Sequence, residues 1–412
     1  MLESDALGHL VTLNPDGSPQ VSVVWVGLDG DEIIAAHVPN NRKVKNIRRD
    51  GRVALSIETD RVNEMGLAEY LIVTGTARIT EGGAVGVLRE LAKTYLGPDA
   101  EFLPGDNLPA GYITHIGVEK IGVMLPLGAG DGPGGGMPGW KDVRAVAEAA
   151  DQGGLDSVWL ADHFLYRDPE GQVFGMHDSW TLLSAVAAVT ERVELGNMVL
   201  CASFRDPGLT AKMAVTLDEV SGGRLTLGVG AGWHDPEYEA FGLPTDHRVG
   251  RFAEWLEIVA RLIHGETVTY DGTYYSVRDA DLDPAPPHRI PILVAGHRPR
   301  MMRLTAQWAD AWNTAWYGAP DLQVEERLET LRQAVETAGK PAGSVTATAG
   351  IIVRDPDQSV PDPSPKAIAV QELPEAAAGY RKLGVQHLIV SPEPMTPRTV
   401  ELVAEAKQSL SS

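Results

Sequence analysis

A single cysteine, Cys201, in 412 residues excludes an internal disulfide, a zinc ribbon and a cysteine-ligated iron–sulfur cluster. No apolar run approaches the roughly 18 residues of a membrane span. The opening MLESDALGHL has neither the basic start nor the apolar stretch of a secretory signal, so the expected location is the cytoplasm. Basic residues are scarce: 35 Lys plus Arg against 56 Asp plus Glu leave a net charge of −21. A field of that sign opposes nucleic acid or anionic membrane over the whole surface, leaving only local basic patches to hold an anion. HExxH, GxSxG and Walker phosphate-loop signatures are missing, and no His/carboxylate cluster has metal-ligand spacing. No metal is expected. What remains is an ordinary globular composition, 43% hydrophobic and 22% charged, with length for roughly two or three domains and a large core.

Two rhythms divide the chain. Up to about residue 120 it is β-rich: GHLVTLN, SPQVSVVWVGL and EIIAAHV are strands separated by PDG and DGD turns. NNRKVKNIRRDG reads as a short amphipathic helix with Val44 and Ile47 on one side, RVALSIE and LAEYLIVTGTARIT as strands, AVGVLRELAKTYLG as a helix and GYITHIGVEKI as the closing strand. Five or six strands with two helices in this order predict a small closed barrel. Beyond 120, strands and helices alternate. KIGVMLPL, LDSVWLADH, VELGNMVLC, RLTLGVGAG, IPILVAG, DAWNTAW, TATAGIIV and VQHLIVS are strand candidates, each followed by a helical pattern. An eight-stranded α/β barrel fits count and length, with a doubly wound open sheet as the alternative. The expected domains are 1–120 and 121–412, joined without a linker.

In an α/β barrel, chemistry sits at the C-terminal ends of strands. Asp162 and His163 end the second strand candidate, and a histidine there can exchange a proton near neutral pH; a histidine satisfied within the core is the plainer alternative. The glycines of GVGAG, Gly228 to Gly232, let backbone approach a flat ligand or form a tight rim turn. AGHRPR, Ala295 to Arg300, leads into a helix, and the amides of Gly296 and His297 with Arg298 and Arg300 would seat a phosphate. Arg42, Lys43, Lys45, Arg48, Arg49 and Arg52 crowd one short segment beside Asn40, Asn41 and Asn46; against the global charge this reads as an anion site or as the wet face of a helix. His234, Asp235 and Glu237 look like the start of an inserted helix. Cys201 reads as a small buried apolar residue.

Residues 121–412 resemble the luciferase-like monooxygenase superfamily, in its deazaflavin (coenzyme F420) dependent branch. The resemblance rests on WLADHF, VELGNMVLCASFRDPGLTAKMAVTLDEVSGGRLTLGVGAGW, YEAFG, RFAEWLEIV and PILVAG. Residues 6–120 resemble the pyridoxamine-phosphate-oxidase-like split barrel through VTLNPDGSPQVSVVWV, NNRKVKNIRRDGRVALSIE and LIVTGTARIT. The fold so implied is an N-terminal split β-barrel followed by a TIM-like (β/α)8 barrel. The resemblance places His163 at the deazaflavin ring with Asp162 beside it, and a non-prolyl cis peptide at Met198–Val199 behind the ring. It also puts Gly230 and Gly232 along the cofactor, and Ala295, Gly296, His297 and Arg300 at its phosphate. Sugar-phosphate dehydrogenases of the superfamily carry a Glu acid where Trp233 aligns, a departure that argues against glucose 6-phosphate as substrate. In the small barrel, Arg42, Lys43, Lys45 and Asn46 match a phosphate-gripping segment, and a homodimer is implied. The expected activity is hydride transfer between F420 and an organic substrate, with two cooperating cofactor sites as a sharper form. The alternatives are an FMN-dependent monooxygenase and a non-catalytic F420 carrier or sensor.

Overall fold

The computed structural model describes residues 5–29, 32–62, 68–105, 108–117, 120–340 and 343–410. The chain divides into two compact units, Met1–Glu119 and Lys120–Leu410. Among the described residues no helix is long and apolar enough to cross a membrane.

Among its described residues the first unit is a seven-stranded antiparallel sheet with two helices. Its elements are β1 (Gly8–Leu13), β2 (Pro19–Val24), β3 (Gly27–Asp29), β4 (Glu32–His37), α1 (Arg42–Arg49), β5 (Arg52–Val62), β6 (Ala68–Glu81), α2 (Ala84–Leu96) and β7 (Tyr112–Gly117). The strand order is β2-β1-β5-β6-β7-β4-β3. The run SPQVSVVWVGL, which reads as one strand, is two: the chain bends at Trp25 and Val26. Tertiary contacts make that corner. Trp25 stacks on Tyr95 at 5.3 Å, whose hydroxyl accepts from the Val26 amide at 3.0 Å. The consecutive strands β2 and β3 thus lie at opposite edges of the sheet, which curls round on itself. Among the described residues no ladder joins β2 to β3, so the barrel is split rather than closed. Its core is Leu10, Val26, Ile33, Ala35, Leu55, Ile57 and Ile116, with Ile47 of α1 packed against them.

The second unit begins with β8 (Lys120–Met124), α3 (Trp140–Gly153), β9 (Ser157–Leu160), the hairpin β10 (Leu165–Arg167) and β11 (Val173–Gly175), α4 (Ser179–Ala187), β12 (Glu194–Asn197), β13 (Leu200–Cys201) and α5 (Pro207–Ser221). It continues with β14 (Leu225–Gly230), α6 (Asp235–Ala240), α7 (Arg248–Ile263), β15 (Val268–Asp271), β16 (Ser276–Ala280), β17 (Ile292–Ala295) and α8 (Pro299–Trp308). The last elements are β18 (Ala311–Tyr317), α9 (Leu322–Thr337), β19 (Thr346–Arg354), β20 (Ile368–Ala369), α10 (Leu373–Leu383), β21 (His387–Glu393) and α11 (Pro397–Leu410). Parallel pairing runs β8-β9-β12-β14-β17-β18-β19-β21 and back to β8, a closed eight-stranded barrel. All eight strand candidates become its staves, and the open-sheet alternative falls because β21 pairs with β8.

Local chemistry sets the helix starts. Asp178, Asp206 and Asp321 each accept the amides of the following first turn, at Thr181, Gly208 and Leu209, and Val324, satisfying donors that a helix start leaves unpaired. The inward strand faces pack Met124, Trp159, Met198, Leu293 and Ile389 together inside the barrel. Glycine makes room for the largest of these: a Cβ on Gly196 would stand 2.3 Å from the Trp159 ring. Below, Ser157 Oγ links Trp159 Nε1 at 2.7 Å to His387 Nε2 at 2.8 Å. Burial pushes the His387 imidazole down to about 3, so this network is neutral and structural.

Candidate functional site

A cavity of about 860 Å³ opens at the C-terminal ends of the staves, where a barrel of this kind places its chemistry. Ala161, Asp162 and His163 follow β9, Met198 and Val199 follow β12, Gly230 to Trp233 end β14, and Ala295 to Arg298 end β17. Asn313 to Trp316 of β18, Arg327 of α9, and Cys201, Glu237 and Arg248 complete much of the wall.

His163 is held from behind. Its Nδ1 lies 3.0 Å from Glu237 Oε1, and Glu237 Oε2 also accepts the Phe164 amide at 3.0 Å. A carboxylate accepts only, so the pairing keeps the proton on Nδ1 and leaves Nε2 as the base presented to the cavity. Glu237 is 1% exposed; burial beside a single donor-bearing ring fixes the orientation of that ring. The indole of Trp233 meets His163 edge-on at 5.7 Å and is 63% exposed at the rim. His234, by contrast, accepts the Arg167 amide at 2.9 Å and stacks on Tyr166, a structural role.

Asp162 lines the cavity, but its oxygens are committed to the protein. Oδ2 accepts from Cys201 N at 2.8 Å and Arg205 Nη1 at 2.7 Å, and Oδ1 from Ser179 Oγ at 2.7 Å. The carboxylate ties the ends of β9 and β13, the Arg205 loop and the start of α4 beneath the histidine. The Met198–Val199 peptide is cis, as the resemblance implies, and both residues border the cavity. Gly232 adopts φ +76°, and a Cβ there would stand 1.9 Å from the Tyr238 hydroxyl, so backbone alone can form this wall. Cys201 is buried and bonded to Tyr238 at 3.1 Å; burial pushes its thiol up to about 11, which keeps it protonated and inert.

Ala295, Gly296 and His297 reach the same cavity, joined by Arg298, and Trp312 Nε1 pins the Gly296 carbonyl at 2.7 Å. Arg300 does not line it. In the first turn of α8, it faces an adjoining open depression of about 520 Å³ with Thr245, His247 and Arg248. Trp316, Arg205 and Arg327 belong to the site or its frame without a signal in the sequence reading, and Glu237, which reads as the start of an inserted helix, is the partner of His163.

In the first unit the basic segment is divided by its own helix. Arg42 and Lys45 stay exposed. Asn46 turns inward, 1% exposed, and donates to Thr12 Oγ1 at 3.1 Å and Asn14 Oδ1 at 3.2 Å. Arg48 pairs with Glu81, and Arg49 reaches the Leu13 carbonyl. Burial lowers the Lys43 ammonium, and burial followed by the charge of Lys43 pushes His37 down to about 3. The Arg52 side chain lies outside the described ones. An anion at α1 would therefore meet Arg42 and Lys45, with Asn46 shaping the helix beneath.

The luciferase-like monooxygenase family matches residues 120–388, and the pyridoxamine 5'-phosphate oxidase family residues 1–106. An F420-dependent glucose-6-phosphate dehydrogenase of Microbacterium testaceum is 36% identical over 200 residues, covering 48% of this chain and 59% of that protein. The chain thus spans about three-fifths of that relative's length. A phthiodiolone/phenolphthiodiolone dimycocerosates ketoreductase of Mycobacterium tuberculosis is 30% identical over 275 residues, covering 61% of this chain and 71% of that one. Among solved structures, an F420-dependent secondary alcohol dehydrogenase with an F420–acetone adduct shares the fold at a TM-score of 0.60 and 19% identity, covering 71% of this chain and 99% of that one.

Proposed function

The chain belongs to the luciferase-like monooxygenase family, and on that premise we propose that it is an F420-dependent oxidoreductase acting on a small alcohol or carbonyl compound. The observation that carries this is the His163–Glu237 pair at the wall of a glycine-lined cavity. The residues fit a tricyclic ring with an anionic side chain: the volume lies within the range of such sites, backbone walls at Gly230 and Gly232 admit a flat face, and cations gather beside Gly296. The Microbacterium testaceum relative carries F420 in its name, as does the secondary alcohol dehydrogenase that shares the fold. When bound, the deazaflavin supplies the carbon that takes or gives a hydride. His163 Nε2 takes the hydroxyl proton of an alcohol as it is oxidised, or returns it to a carbonyl oxygen in the reverse direction. Glu237 holds the ring through Nδ1 and stabilises it when protonated. Met198, Val199 and Trp233 restrict water around the reacting atoms.

Titrating the full chain with F420 and with FMN, read by quenching of tryptophan fluorescence, tests the reading. Trp233 and Trp316 stand in the cavity wall and should report binding. F420 is expected to bind at least about tenfold tighter than FMN, a difference of about 1.4 kcal/mol. FMN binding the tighter, with oxygen consumption, would replace the reading with a flavin-dependent monooxygenase. F420 binding without turnover on any alcohol or carbonyl would leave a carrier or sensor. The sharper form has a second F420 at Arg42 and Lys45 of α1 and turnover coupled through a tether of roughly millimolar effective concentration. Coupled turnover that survived separation of the two units would remove it.

A homodimer belongs to the same reading. Val23, His9, Ser56 and Ile72 are register partners across β2, β1, β5 and β6, and Val21, Val23 and Ile72 are exposed by 60%, 57% and 59%. Exposed Val21, Val23 and Ile72 flank His9 and Ser56 on an outer face of the split-barrel sheet that a second copy would cover. Sedimentation should give twice the chain mass, falling to the monomer in Val21→Lys/Val23→Lys; a monomeric parent protein would end the dimer reading.

A further inference from the structure

We propose that Arg327 grips an oxyanion, a phosphate or carboxylate, of the molecule that fills the barrel cavity. The inference rests on the oxidoreductase reading for the identity of that molecule, and on geometry for the grip. Arg327 comes from α9, the helix after β18, and borders the cavity beside Thr314, Trp316 and His297. Its Nη1 donates to Thr314 Oγ1 at 2.8 Å and to the Tyr317 hydroxyl at 2.6 Å, and its guanidinium lies 5.7 Å from the Tyr317 ring centre. These partners are neutral, and they aim the fork without neutralising it. A guanidinium has five N–H donors; Nη2 and Nε have no acceptor among the described residues.

The contrast with other arginines is informative in so acidic a chain. Arg205 faces Asp162 and Asp178, Arg248 faces Asp235, and Arg354 faces Glu393. No carboxylate of the described residues lies within ion-pair distance of Arg327. Its neighbours add charge of the same sign. Lys366 Nζ lies 5.6 Å from the same Tyr317 ring and donates to the Trp316 carbonyl, while Arg298 lines the cavity nearby. Partial desolvation, then the charges of Arg327 and Arg298, push the His297 imidazole below its ordinary value. Like charges held together at a cavity wall without a counterion favour an anionic ligand, and a planar fork suits a bidentate one. His163 follows β9 and Arg327 lies beside β18, on opposite sides of the ring of staves. The cavity therefore has a base at one wall and an anion grip at the other.

The oxyanion can come from the cofactor's phosphorylated side chain or from the substrate, and one set of titrations separates them. Full-length protein, Arg327→Met, Arg327→Lys and the control Arg332→Met, an exposed arginine of the same helix, are titrated with F420, with the ribityl deazaflavin that lacks the phosphate, and with inorganic phosphate. Calorimetry and fluorescence quenching read binding, and circular dichroism checks the fold. A charge-assisted bidentate contact predicts that Arg327→Met loses about ten- to a hundredfold in affinity for its anion, with Arg327→Lys in between and Arg332→Met unchanged. Weaker F420 with unchanged ribityl deazaflavin assigns the grip to the cofactor. Unchanged binding of both deazaflavins, with loss of phosphate binding, assigns it to the substrate. Equal affinities for F420 and for phosphate in Arg327→Met and the parent protein overturn the proposal. If the parent binds neither deazaflavin, the cofactor reading fails while the phosphate titration still decides the role of Arg327. Should Arg327→Met not fold, phosphate added to the parent must shift the His297 ring signals in the NMR spectrum, and their indifference to phosphate is equally fatal.

Discussion

Replacing His163 with alanine is expected to lower hydride-transfer turnover by about 10²–10⁴-fold, the usual contribution of a positioned general base, with F420 affinity changed by less than about threefold. The asymmetry follows from the geometry. His163 gives the cavity one nitrogen, Nε2, and most of the wall is backbone glycine, Met198, Val199 and the β17 and β18 ends, none of which the substitution touches. Glu237→Gln probes the other half of the pair. The amide can donate to Nδ1 where the carboxylate only accepts, so the ring can adopt the wrong tautomer and present N–H to the cavity. Turnover should fall with that variant too, while the ring keeps its place under Trp233. Steady-state rates with the alcohol or carbonyl substrate and fluorescence titration of F420 measure both. A His163→Ala enzyme within tenfold of the parent rate would show that another group carries the proton.

The barrel was legible because its signals are local. Each of the eight staves is a short apolar run bounded by turn residues, and each helix carries its stripe, as Phe252, Trp255, Leu256, Val259 and Ile263 do on α7. His163 and the glycines were legible because strand ends are where such a fold works. Glu237 was not, since it meets His163 from 74 positions away and locally reads as the first turn of a short helix. Arg327 carried a faint sign: it follows Val324 by three and precedes Leu331 by four, on the flank of the stripe Val324, Leu328, Leu331 and Val335 that α9 buries. A charge so placed must either snorkel to water or find a cavity, and periodicity alone does not say which. The bend at Trp25 was hidden for a related reason, because Tyr95, which makes the corner, is contributed by α2. Asn46 looked like part of a basic surface, yet one residue before the buried Ile47 it already faces the sheet.

Asp162→Ala is expected to destabilise the barrel by about 3–5 kcal/mol, the cost of removing one partner of a buried ion pair. The side chain is 2% exposed and that of Arg205 10% exposed. Without the carboxylate, the Arg205 guanidinium keeps only Asp178, itself 46% exposed, while the Ser179 hydroxyl and the Cys201 amide lose their acceptor. A uniform loss of hydrophobic contact would be far smaller for so short a side chain; the size of the effect comes from the charge left behind. The double variant Asp162→Leu/Arg205→Leu separates these causes, because replacing a buried pair by apolar groups can be nearly neutral and should recover most of the loss. Denaturant melts followed by tryptophan fluorescence give both numbers, read on the transition of the barrel unit, since two compact units need not unfold together. A single-variant loss below about 1 kcal/mol, the scale of an exposed pair, would mean that water reaches Arg205.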